Sequence, residues 1–124
     1  MAVCSENNDY RKHYSKEDEI KANDLNIGTI VQNEVKRLGK RANLNHIEVR
    51  EVTDMSALFH NLDFDGDIYL WDVGNVVDMS GMFANSTFDG DISHWNVSNV
   101  KKHDHCFDDS PLMNQPNKQP NFNP

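Results

Sequence analysis

VTDMSALFHNLDFDGDIYLWDVGN, residues 52–75, runs directly into VVDMSGMFANSTFDGDISHWNVSN, residues 76–99. At an offset of 24 the two windows agree at 14 of 24 positions, among them Asp54/Asp78, Met55/Met79, Phe59/Phe83, Phe64/Phe88, Gly66/Gly90 and Trp71/Trp95. Repetition at a fixed period of this size marks units that bury their apolar side against their neighbours. Outward from this pair, Leu44, Ile47 and Val49 match Ile68, Trp71 and Val73, then Ile92, Trp95 and Val97, so the most apolar part of the unit occurs three times. Ile, Val and Trp suit a pleated segment. Met55, Leu58 and Phe59, like Met79, Met82 and Phe83, have helical spacing behind an Asp that can accept from free amides. Asn61 and Asn85 tolerate positive φ. Phe-Asp-Gly-Asp then turns the chain back.

These features predict an α/β chain: a short leucine-rich-repeat-like β/α solenoid of about three 24-residue coils with an N-terminal helical cap. Residues 1–14 read as a loose leader and 15–43 as the cap, with a short helix over 16–22 behind Ser15. A longer helix is carried by Ile27, Ile30, Val31, Val35 and Leu38, started by Asn26 and closed by Gly39. Residues 44–112 are the repeat region. Its third copy decays, with Lys102, His103, Asp104 and Cys106 where the second has Asp78, Met79, Ser80 and Met82, as suits a terminal unit. Residues 113–124 form a Pro- and Asn-rich tail.

With 124 residues, the chain makes one small domain. Its formal net charge of −8 is uneven: residues 1–43 carry eight basic and seven acidic side chains, residues 44–124 four and 13. The repeat region therefore repels nucleic acid and favours a basic partner surface. No apolar run reaches the ~20 residues that span a bilayer, and no charged and apolar leader precedes Cys4. A cytoplasmic location is expected. Cys4 and Cys106 read as free thiols.

The stretch Asp78 to Val100 closely resembles the repeat of the BspA-like leucine-rich-repeat proteins, the family that also supplies the short repeat of Mycoplasma surface lipoproteins. The resemblance covers Leu44 to about Leu112. It implies a β/α solenoid that binds other proteins, in many members as a surface adhesin. With few coils and no secretion signal, this chain is most similar to short members of phage or mobile-element type.

Chemistry-bearing clusters are sparse. Asp63, Asp65 and Asp67 match the start of an EF-hand loop, but Ile68 and Gly74 stand where that loop needs Gly and Glu. Stacked repeats would set Asp65 beside Asp89 and Asp67 beside Asp91, a column read as turn-forming aspartates in preference to a weak Ca²⁺ ladder. His94, His103, His105 and Cys106 are zinc-like in type and not in spacing. No nucleophile elbow or phosphate loop occurs. The chain is accordingly expected to be no enzyme and to hold no metal or cofactor. Its contact face is expected at the outward positions of the apolar segments, where Asn45, Tyr69 and Ser93, His46, Leu70 and His94, and Arg50, Gly74 and Ser98 vary between copies. Tyr69 and Leu70 are the apolar anchors; His46, His94, Asp65, Asp67, Asp72, Asp89 and Asp91 complete the partner-binding set. The expected partner is a protein with a basic surface, such as a nuclease or other nucleic-acid-binding enzyme of a host defence system. The expected role is that of an anti-CRISPR-like inhibitor acting as a monomer or weak homo-oligomer. A fragment of a surface adhesin is the alternative, and a metal-binding or enzymatic protein comes third.

Overall fold

In the computed structural model, which describes residues 19–122, the apolar spacing of Ile27, Val31 and Val35 produces helix α1 (Ile27–Leu38), with these three residues buried. Gly39 ends it at φ 97°, its N–H donating to the Val35 carbonyl at 2.7 Å. Asn26 holds the N-cap position, as expected, but makes no side-chain capping bond: its side-chain oxygen accepts from the Asn23 N–H at 2.8 Å. The short helix expected over 16–22 is replaced, within the described residues, by strand β1 (Ile20–Lys21). This strand pairs in parallel with β2 (Ile47–Glu48). The leader over 1–14 lies outside the described residues.

The leucine-rich-repeat-like β/α solenoid of three coils with a helical cap is not what forms. The described residues hold one α-helix, one open two-stranded parallel sheet and two short 3-10 helices, Pro111–Asn114 and Pro116–Lys118. Two local causes account for this. In the apolar segments, Asp67, Asp72 and Asp91 each turn a carboxylate back to the N–H two residues on, at Tyr69, Gly74 and Ser93 (3.0 Å in each case). Such Asx turns take the donors a strand would offer its neighbour. In the segments after them, Ala57, Asn61, Gly81 and Asn85 all have φ between 55° and 63°, which a right-handed helix excludes. Nor is the N-terminal part a separate cap. Besides the β1–β2 pairing, the Lys40 and Ala42 carbonyls accept from Asp65 and Asp67 at 2.7 and 2.9 Å, weaving residues 20–48 into the body.

The repeat is nevertheless expressed in space, as rows of turns joined by backbone hydrogen bonds. Row 1 (residues 54–61) donates the N–H groups of Met55, Ala57, Phe59 and Asn61 to the carbonyls of Asp78, Ser80, Met82 and Ala84 at 2.8–3.0 Å. Row 2 (residues 78–85) donates those of Met79, Gly81, Phe83 and Asn85 to Lys102, Asp104, Cys106 and Asp108 in row 3 (residues 102–109) at 2.8–2.9 Å. Even-numbered amides such as Leu58 and His60 close turns within their own row instead. Every second donor thus points at the next row, and the pattern satisfies the backbone without strand or helix.

One hydrophobic core runs through the rows. Leu44, Ile47 and Val49, Ile68, Trp71 and Val73, and Ile92, Trp95 and Val97 are all buried, together with α1. Phe59 stacks on Phe83 at 5.3 Å between centroids and Phe83 on Phe107 at 5.8 Å, with interplanar angles of 3° and 7°. Phe64 and Phe88 form a parallel column at 6.0 Å. Gly66 is needed for close approach: a Cβ there would lie 1.9 Å from the Ala42 carbonyl oxygen.

Candidate protein-interaction face

Asp67 sets the face by turning the chain so that Tyr69 and Leu70 project outward; the two are 41% and 46% exposed. The Asn45 side-chain oxygen accepts from the Leu70 N–H at 2.8 Å and fixes the backbone from beneath. The His94 ring stacks on Tyr69 at 4.0 Å, and its Nε2 lies 2.7 Å from the Tyr69 carbonyl oxygen. Tyr69 lines a cleft of about 330 Å³ with Arg41, Asp65, Asp67 and Asp91. Leu70 lines a second cleft of about 300 Å³ with Glu19, Glu48, Arg50 and Asp72. The pair therefore forms an apolar ridge between two charged hollows.

Of the nine partner-binding residues read from the sequence, the structure brings seven to this ridge and its clefts: Asp65, Asp67, Tyr69, Leu70, Asp72, Asp91 and His94. His46 is elsewhere. Its side chain is 15% exposed and its Nε2 lies 2.7 Å from the Glu34 carboxylate on α1. Asn45, read as an outward position, is buried, with its Nδ2 donating to Asn43. The Asp89 carboxylate accepts from Gln115 Nε2 at 2.7 Å and Lys118 Nζ at 3.1 Å, which hold it below the usual carboxylate range.

The aspartate column is satisfied by hydrogen bonds. Asp65 Oδ1 accepts from the Asp89 N–H at 3.0 Å. Asp91 accepts from the Ser93 hydroxyl and N–H, which lower its pKa. Among the described residues, no group of three or more His, Cys, Asp or Glu side chains is placed to hold a metal ion. Cys106 is buried, and desolvation pushes its thiol up to about 12.

Sequence reasoning missed Glu34. Arg37 Nη2 and Nε contact its carboxylate at 2.7 and 3.1 Å, and with His46 they hold the pKa down against desolvation. The Glu34/Arg37 spacing is legible on a helix; the link to His46, 12 residues away, is not. No helix among the described residues is long and apolar enough to cross a membrane.

Comparisons with curated proteins and with solved structures give no match. A family model, in contrast, matches residues 29–124, three-quarters of the chain and all of the repeat region. The chain belongs to the family described as Mycoplasma protein of unknown function, DUF285.

Proposed function

We propose that this protein is a non-catalytic interaction module that docks through the Tyr69–Leu70 ridge on a protein with a basic surface. The observation that carries the reading is the ridge itself, two large side chains more than 40% exposed between clefts edged by Asp65, Asp67, Asp72 and Asp91. Aromatic and apolar anchors within a charged rim are the usual energetic pattern of a contact face, the anchor holding the complex and the rim steering encounter. In its sharper form the partner is a cytoplasmic nucleic-acid-binding enzyme of a host defence system. There the acidic face competes with DNA or RNA for the positive groove, as an anti-CRISPR-like inhibitor of phage or mobile-element origin. The sequence resemblance of the repeat supports a second reading. The repeat resembles that of BspA-like surface proteins, and a fragment of an adhesin would use the same ridge on an extracellular ligand.

The test is affinity capture from host lysate with the tagged chain and with a Tyr69→Ala/Leu70→Ser variant, each washed at low and high salt. The proposal expects a basic protein held by the parent, released by salt and not held by the variant. Equal capture by the two chains sinks the ridge, and recovery confined to envelope or extracellular components moves the assignment to the adhesin.

A further inference from the structure

Among the described residues, the ladder that joins the rows stops at row 3. In rows 1 and 2 the N–H groups at alternate positions point to the next row. Row 3 keeps the same backbone form although its sequence has diverged. His105 and Asp109 have φ 59° and 56°, where Gly81 and Asn85 have 63° and 58°. The corresponding N–H groups, those of His103, His105, Phe107 and Asp109, find no acceptor among the described residues. A groove of about 580 Å³ opens beside them, lined by His103, Phe107, Asp108, Met113, Gln119 and Phe122.

We infer that this edge is a docking site for a segment of another protein carrying the repeat's own motif, Asp-Met-Ser-x-x-Phe-x-Asn, bound as a fourth row. Three features select that occupant over an extended strand. The carbonyls that satisfy rows 1 and 2 come from segments with left-handed turns at fixed positions, so an acceptor row of the same form has the right spacing. The charge also fits. Lys102 has replaced the aspartate of Asp54 and Asp78 at the position paired with Asp78, so the outermost row offers a cation where a further motif Asp would pair. Lastly, the aromatic column is finished by a makeshift: Phe122 lies 6.5 Å from Phe107 at 42°, against 5.3 and 5.8 Å at 3° and 7° for the regular stack. Phe122 stacks instead on His103 at 4.2 Å, so among the described residues no ring continues the Phe59–Phe83–Phe107 column in its regular register. A second folded copy is the poorer fit, because α1 and Asp24 already lie along row 1 beside Asp54, Ser56 and Leu58. The docked row would add main-chain bonds at an open edge, the general logic of β-augmentation applied to rows of turns.

The test uses the whole chain, isotope-labelled, titrated with a synthetic peptide of residues 78–86 and followed by amide NMR. The expected result is a shift of the His103, His105, Phe107 and Asp109 amides, absent with the Phe83→Ser form of the peptide. In the Phe122→Ala chain the same peptide binds about 2- to 10-fold tighter, as one competing aromatic contact is removed. Shifts elsewhere, or none at millimolar peptide in either chain, overturn the inference. Concentration-dependent shifts of the same four amides without peptide would place a second copy there and overturn the assigned occupant.

Discussion

Phe83 is the centre of the core, and its truncation gives the sharpest test of how the rows hold together. Its ring lies 5.3 Å from Phe59, 4.9 Å from Phe88, 5.8 Å from Phe107 and 6.5 Å from Trp95. Phe83→Ala removes a fully buried aromatic side chain, a loss of ~3–5 kcal/mol including the cavity left behind. The stacked contacts add to this loss, at ~0.5–1.5 kcal/mol each. Against the ~5–15 kcal/mol of a domain this size, the variant keeps a folded state with little margin. At an unfolding entropy of ~2.1 cal/mol/K per residue, a loss of ~4 kcal/mol lowers Tm by ~15 °C. Phe107 has one regular ring neighbour, Phe83, and the loose contact with Phe122, so Phe107→Ala should cost clearly less. Circular dichroism melts of both variants, with Trp fluorescence in urea as a second probe, measure the difference. A Tm drop under ~5 °C for Phe83→Ala would refute a core continuous through the three rows, and equal drops for the two variants would refute Phe83 as its centre.

Three further outcomes follow from local geometry. Gly66→Ala places a Cβ 1.9 Å from the rigid Ala42 carbonyl, whereas at Gly90 the nearest atoms belong to the Phe88 ring at 2.6 Å. Gly66→Ala should therefore lower the urea midpoint more than Gly90→Ala, although the motif is the same. Glu34 has a folded-state pKa below the ordinary 4.5, set first by its bond to Arg37. The stability it adds is present above pH ~4.5 and lost as pH falls through the depressed value. Glu34→Gln should flatten the acid limb of a stability-versus-pH curve, and an unchanged limb would contradict the assignment. In a Cys4→Ser background, the buried Cys106 thiol should react with a thiol reagent only at the rate of unfolding, and immediate labelling in native buffer would show an open core.

Much of the core was legible because apolar residues recur at one period. Ile68 and Ile92, Trp71 and Trp95, and Phe59 and Phe83 identify their burial by repetition alone. Secondary structure was not, because the same residues satisfy a strand, a helix or a row of turns. What decides is where single donors go. Asp67 and Asp91 read as turn-forming aspartates and as partner-binding charge; what the repeat does not show is that their oxygens hold the N–H groups of Tyr69 and Ser93 and so break the segment expected to be a strand. Ala57 carries no sequence signal for its φ of 55°. On the contact face, the outward reading of Tyr69 and Leu70 stands on their exposure. His46 shows how alternation misleads when a neighbouring helix supplies a carboxylate, as Glu34 does. Gly66 reads as part of a return turn; its observed role is to admit the Ala42 carbonyl.

Native-state hydrogen exchange read residue by residue tests the central claim, that turn rows are joined by alternate backbone donors and that, among the described residues, the ladder ends at row 3. The account predicts strong protection of the amides of Met55, Ala57, Phe59, Asn61, Met79, Gly81, Phe83 and Asn85, with those of His103, His105, Phe107 and Asp109 exchanging far faster. Equal protection in the third row, or rapid exchange throughout the first two, would contradict it.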